Sequence, residues 1–179
     1  MRHEIEIVFT VALAAIASVL AALHGLSLVA PTAEGAAFVG VHFIVPAFAA
    51  LIWGVCLTHG DAARTWVSAF VAIVCYVVVV WLHFNVKLWT PFINPAEHDV
   101  FYRRTDDAIR PVVDAAFALR RALAGVVPGI DAVYVHGFIG LFYVSFCVHA
   151  LRSPEHFRKV FLAALFLQGL GALAYLVTP

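Results

Sequence analysis

Residues 7–29 read IVFTVALAAIASVLAALHGLSLV and contain no Asp, Glu, Lys or Arg. Lipid offers the backbone no hydrogen-bond partners, so about 20 consecutive apolar residues are stable there as a helix that satisfies its own backbone. The run is longer than the apolar core of a secretory signal, and Glu4 and Glu6 offset the charge of Arg2. The stretch therefore predicts a retained transmembrane helix.

The rest of the chain continues this apolar pattern. Of its 179 residues, 64% are hydrophobic and 12% are charged, whereas soluble domains carry roughly one-quarter charged residues. Five segments are long and apolar enough to cross the bilayer. They lie at about 5–29, 36–58, 65–84, 132–151 and 157–177. The sequence predicts an all-α polytopic membrane protein, with residues 1–179 forming a single membrane domain.

Residues 85–131 differ in kind, because they hold six of the eleven basic residues and six of the eleven acidic ones. Apolar positions recur there at helical spacing, with charged residues between them. The apolar positions are Ile109, Val112, Val113, Ala116, Phe117 and Leu123. The charged positions are Asp106, Asp107, Arg110, Asp114, Arg120 and Arg121. This pattern predicts one interfacial amphipathic helix, between the third and fourth spans, that rests on the membrane.

Basic residues in the short loops predict the orientation. On a five-span chain they share one side, which the positive-inside rule makes cytoplasmic. These residues are Arg2, Arg64, Arg152, Arg158 and Lys159. We therefore expect a cytoplasmic N-terminus. The formal net charge of zero gives no basic field for nucleic acid, so the expected partners are membrane lipids or other membrane protein subunits.

The nine histidines admit three interpretations. The favoured one is hydrogen bonding between helices, for which no cofactor is expected. The second is haem ligation, because His136 and His149 are expected on one helix face about 20 Å apart. The third is an outward-facing metal or proton site. Its residues would be His24, His42, His83 and His136.

Three arginines in the amphipathic segment form a candidate headgroup site. Arg103, Arg104 and Arg110 could bind a phosphate or an anionic lipid headgroup, because the guanidinium fork matches phosphate geometry. The alternative is a solvated face on which these arginines pair with neighbouring aspartates. In the last apolar segment, Gln168, Gly169 and Gly171 form a small patch that predicts close helix packing.

Three stretches in the second half of the chain resemble sequences of a known family. They are NPAEHDVFYRRTDDAIRP at 94–111, GLFYVSF at 140–146 and GLGALAYLVTP at 169–179. In combination they resemble the N-terminal half of the type 2 phosphatidic acid phosphatase superfamily. The similarity is to its bacterial branch, which includes inositol phosphorylceramide synthases, and it implies a location in a bacterial inner membrane.

This resemblance implies a helical membrane protein that cleaves or transfers a lipid phosphate ester through a phosphohistidine, on the side away from the cytoplasm. The family's first motif, Lys-x6-Arg-Pro, has a near match in Arg103-x6-Arg110-Pro111. The family's nucleophilic His and its supporting His and Asp follow the stretch that ends here at Pro179. The resemblance therefore assigns no catalytic residue to this chain, and we expect it to be inactive alone.

Three functions remain open at this point. The chain is the N-terminal part of a longer lipid-phosphate phosphatase or phosphotransferase, or it is a non-catalytic structural or accessory subunit of a membrane complex. A haem-binding membrane anchor is the third possibility, and bound haem would give it visible absorbance.

Overall fold

The computed structural model describes residues 3–30, 48–53, 62–95, 99–124 and 129–177. Within these ranges the chain forms α-helices and no strand, which confirms the predicted all-α class. The helices are α1 (Glu4–His24), α2 (Ala62–Ile93), α3 (Asp99–Ala124), α4 (Ile130–Arg152) and α5 (Pro154–Tyr175), and residues 48–53 are also helical.

Three helices of the described part are long and apolar enough to cross a membrane. They are α1, residues 66–93 of α2, and α5. The predicted fourth span, 132–151, coincides closely with α4. Most of the predicted second span, 36–58, lies outside the described residues, and so does Pro46 within it. The described helices indicate a membrane protein with three candidate spans.

Two predicted boundaries are wrong. The first span was expected to continue to Val29, but α1 ends at His24. Gly25 adopts the left-handed conformation (φ 63°, ψ 30°) there and donates its N–H to the carbonyl of Ala21, which terminates the helix. The interfacial segment was expected from residue 85, but α2 continues to Ile93. It continues because Asn85 and Trp89 are buried in the helix packing rather than solvated.

Helices α4 and α5 are joined by a tight turn. Ser153 alone separates the two helices, and its side chain accepts a hydrogen bond from the backbone N–H of His156. Pro154 then occupies the first position of α5, where its missing N–H removes no helical hydrogen bond. Helix α5 thus begins three residues before the predicted start at Phe157.

The described residues fall into two compact units, one comprising residues up to Pro95 and from Tyr143 onward, the other Ala96–Phe142. Helices α1, α2 and α5 belong to the first unit. Their amino-terminal ends meet through a hydrogen bond between His3 and Ser68 and an ion pair between Glu6 and Arg158. Because their carboxyl-terminal ends also meet, as described below, the three helices run parallel.

Helix α2 packs against both α1 and α5. Its Tyr76 ring lies 5.9 Å from that of Phe161 on α5, and both side chains are buried. Helices α1 and α5 approach each other where the Phe9 ring stands edge-on to Phe166, at 4.6 Å between centroids. Gly169 is buried beside Phe9, which agrees with the packing role predicted for the glycines of this span.

Replacing Gly169 with Ala is expected to destabilise the protein by about 1–3 kcal/mol, because overpacking a close contact forces the neighbouring groups apart. A Cβ atom at this position would overlap Cζ of Phe9, whose ring is already in contact with Phe166. Thermal unfolding of the purified protein in detergent measures the loss. Gly171→Ala is the control, since its Cβ would meet nothing nearer than Cε1 of His83 at 3.8 Å. Equal losses at both glycines would contradict the packing described.

Candidate functional site

The carboxyl-terminal ends of the parallel helices are joined by side chains of α2. Asn85 is fully buried and bonds to both backbone groups of Val29, receiving the N–H at 2.7 Å and donating to the carbonyl at 3.2 Å. Trp81 also donates to that carbonyl, and Trp89 donates to the carbonyl of Ser27. These bonds satisfy the non-helical backbone that follows α1, which an apolar environment requires.

The same end is joined to α5. Asn94 donates its amide to the carbonyl of Leu176 at 2.9 Å. Nδ1 of His83 lies 2.7 Å from the carbonyl of Gln168, so that nitrogen carries the proton and donates. His83 therefore forms a hydrogen bond between helices, which is the role that the favoured interpretation gives to the histidines.

Of the other predicted metal or haem ligands, the structure describes only the side chains of His24 and His149. His24 is exposed in the last turn of α1. His42 lies outside the described residues, as does the side chain of His136. Nδ1 of His149 is buried without a partner, and its ring is parallel to that of His156 at 6.4 Å between centroids. Among the described residues no group of three or more His, Cys, Asp or Glu side chains could hold a metal ion.

The expected haem geometry of α4 is wrong in one respect. His136 and His149 both lie on α4, but thirteen residues at about 100° per residue leave their positions roughly 140° apart around the helix axis. The two positions therefore do not share a face.

Two of the three predicted headgroup arginines share one face of α3. Arg103 and Arg110 are seven residues apart, which is nearly two helical turns, so they differ by only about 20° around the axis. Arg104 lies about 100° from Arg103. All three side chains are exposed, and Nη1 of Arg110 lies 4.0 Å from Oδ1 of Asp107.

A shallow depression on this face is lined by both charged and apolar side chains. The lining residues are Asp106, Asp107, Arg110, Val113, Asp114 and Phe117. The aspartates place negative charge next to Arg110, and all of these charged side chains are exposed.

One polar cluster was missed by the sequence analysis. Glu6 was interpreted only as a flanking charge, yet its side chain is 1% exposed and its Oε1 lies 3.3 Å from Nε of Arg158. Nδ1 of His3 lies 3.6 Å from the same oxygen of Glu6, and Nε2 of His3 is hydrogen-bonded to Ser68. The only signal in the sequence is a carboxylate beside an otherwise apolar run, which is a weak one.

Burial lowers the pKa of the His3 imidazole below its ordinary value of 6.5. The carboxylate of Glu6 opposes this shift, and the positive charge of Arg158 adds to it. His3 is therefore neutral at pH 7, and the charged pair in the cluster is Glu6 with Arg158.

Comparison of the chain with protein-family models, with curated proteins and with solved structures finds no match in any of the three. The class that the fold defines is an all-α protein with three helices able to span a membrane.

Replacing Arg158 with Gln is expected to destabilise the protein by about 1–3 kcal/mol, because it leaves the buried Glu6 carboxylate without its cation. Unfolding in detergent at pH 7.5 measures the loss. Lys159→Gln is the matched control, since Lys159 and Glu155 pair at 2.8 Å with both side chains largely exposed. There water replaces the lost partner, and only a small change is expected. A loss at Lys159 as large as that at Arg158 would argue against a special role for the buried pair.

Proposed function

We propose that this chain is the membrane-embedded part of a protein that acts on lipid phosphates, and that α3 binds the phosphate of the lipid headgroup. The observation that carries the proposal is the placement of Arg103 and Arg110 on one face of an exposed amphipathic helix. The resemblance of residues 94–111 to the phosphatidic acid phosphatase superfamily supports the same substrate class.

The apolar residues of α3 favour a lipid surface as its environment. Every side chain from Tyr102 to Ala122 is exposed, including those of Ile109, Val112 and Leu119. Leaving such side chains in water is unfavourable, whereas an interfacial helix buries them at the boundary between headgroups and acyl chains. A helix in that position holds its polar face at the depth of the lipid phosphates.

The arginine face suits a phosphate in that layer. Arg103 and Arg110 are separated by about 10 Å along the helix axis, and their long side chains can converge on one anion. The long contact of 4.0 Å between Arg110 and Asp107 is exposed, so exchanging it for a phosphate is inexpensive.

We expect Arg103→Ala and Arg110→Ala each to weaken binding of a short-chain phosphatidic acid by about threefold to tenfold, since each removes a charge-assisted hydrogen bond. Arg104→Ala, on a different face, should change binding less than twofold. Titration calorimetry of the chain in neutral detergent measures this. If all three substitutions weaken binding equally, the arginines attract the lipid only by their charge and form no specific site. If none of them changes the affinity, the result favours an accessory subunit.

The proposal also includes a topology of five crossings. Because α1, α2 and α5 run parallel, the chain leaves α1 at one end of the bundle and enters α2 at the other. The connection between them must then cross the bilayer, as must the connection between α2 and α5. We assign these two crossings to the predicted span 36–58, of which the structure describes the helical residues 48–53, and to α4.

The orientation follows from the bases at the amino-terminal end of the bundle. Arg64, Arg152, Arg158 and Lys159 lie at that end, which the positive-inside rule places in the cytoplasm. The N-terminus is then cytoplasmic, in the inner membrane of a bacterium, and the carboxyl-terminal ends of α2 and α5 face outward.

Single cysteines in a cysteine-free variant test the five crossings through labelling of intact cells by a membrane-impermeant thiol reagent. We expect protection from outside at Glu4→Cys, Arg64→Cys and Glu155→Cys. Labelling is expected at Ser27→Cys, Pro95→Cys and Val177→Cys. Lysed cells are the control for reactivity. Labelling of Ser27→Cys and Arg64→Cys from the same side would contradict a crossing between α1 and α2.

The resemblance places the reacting histidines beyond the matched stretches, so we propose that these 179 residues do not hydrolyse lipid phosphates by themselves. Release of inorganic phosphate from phosphatidic acid by the purified chain would overturn this part of the proposal.

A further inference from the structure

The cluster at the amino-terminal end of α1 contains one anion and two groups that can be cations. Oε1 of Glu6 faces both Nε of Arg158, at 3.3 Å, and Nδ1 of His3, at 3.6 Å. The second carboxylate oxygen, Oε2, is buried without a hydrogen-bond partner, and so is Nδ1 of His3. The side chains of His3 and Glu6 are 8% and 1% exposed.

The charges balance only while His3 is neutral. The carboxylate then neutralises Arg158, and His3 contributes its hydrogen bond to Ser68. A proton on His3 would place two cations on a single carboxylate oxygen in a site that water scarcely reaches. Like charges repel strongly where the dielectric constant is low, and an uncompensated buried charge is costly.

We propose that His3, Glu6 and Arg158 form an acid-sensitive latch, which holds the first turn of α1 against α2 and α5 at neutral pH and releases it when His3 takes up a proton. The released segment is short, because Phe9 and Leu13 pack α1 against α5 beside Gly169. Acid would thus free the beginning of α1 without separating the whole helix.

The other groups around His3 come from all three helices. On α1, the hydroxyl of Thr10 donates to the carbonyl of Glu6. On α2, Ser68 contacts His3, and the thiol of Cys75 lies beside Thr10. On α5, Arg158 faces the cluster, and its positive charge disfavours a second one.

The sign of the pH dependence follows from the lowered pKa of His3. Between the folded value and about 6.5, the unfolded chain binds a proton at His3 that the folded chain does not. The stabilisation is therefore complete above pH 6.5 and decreases as the pH falls through this window.

The first test compares thermal unfolding of the full chain in detergent at pH 7.5 and 5.5. The parent is expected to lose about 2–4 °C more than His3→Gln, which keeps a hydrogen-bonding side chain but cannot titrate. His156→Gln is the control, because His156 is exposed at the same end and contacts Ser153 instead of Glu6. This control should lose as much as the parent. An equal loss in His3→Gln and in the parent overturns the latch.

A second test locates the opening. In a variant with Cys56, Cys75 and Cys147 replaced by Ser, the substitution Ser68→Cys places the one remaining thiol on α2 at the buried position that His3 contacts. At pH 5.5 a small neutral thiol reagent should label it several-fold faster with His3 present than with His3→Gln, whereas at pH 7.5 the two rates should agree. The comparison at each pH removes the intrinsic pH dependence of the thiol. Equal rates at pH 5.5 would show that α1 does not lift, and would overturn the proposal.

Discussion

The ion pair between Glu6 and Arg158 sets the register of the three parallel helices. A carboxylate that is 1% exposed cannot remain charged without its cation, so α1 cannot slide by a turn along α5 while the pair is kept. At the opposite end, Asn85 fixes α2 to the backbone of Val29 with two further hydrogen bonds. Between these two sets of polar contacts, the three helices pack through apolar and aromatic side chains.

Parallel packing determines how the chain must be connected. Neighbouring helices in sequence are usually antiparallel, because short loops join adjacent ends. Here α1 and α2 begin at the same end, and so does α5. Each connection among them therefore has to return along the length of the bundle. This requirement is the argument for the five crossings proposed above, and it rests on polar contacts rather than on hydropathy alone.

Local sequence signals predicted the fold well where a single stretch decides the structure. The predicted span 132–151 coincides closely with α4, because one uninterrupted apolar stretch defines it. The end of α2 was predicted wrongly, because the sequence does not show that the polar Asn85 is buried by hydrogen bonds to Val29, 56 residues away. The burial of Glu6 likewise depends on Arg158, which is 152 residues away. Periodicity along one helix contains no information about such distant partners.

The polar groups of the first unit and those of α3 are suited to different tasks. Asn85, Trp89 and His83 each bond to a backbone carbonyl, so exchanging that partner for a ligand would leave the carbonyl unsatisfied. On α3, by contrast, Arg110 and Asp107 meet in water at 4.0 Å, where an ion pair contributes little and is readily replaced. A phosphate can therefore displace a partner on α3 at small cost, whereas the bundle cannot release one without losing stability. This difference is the physical argument for proposing α3, and not the bundle, as the element that binds a lipid headgroup.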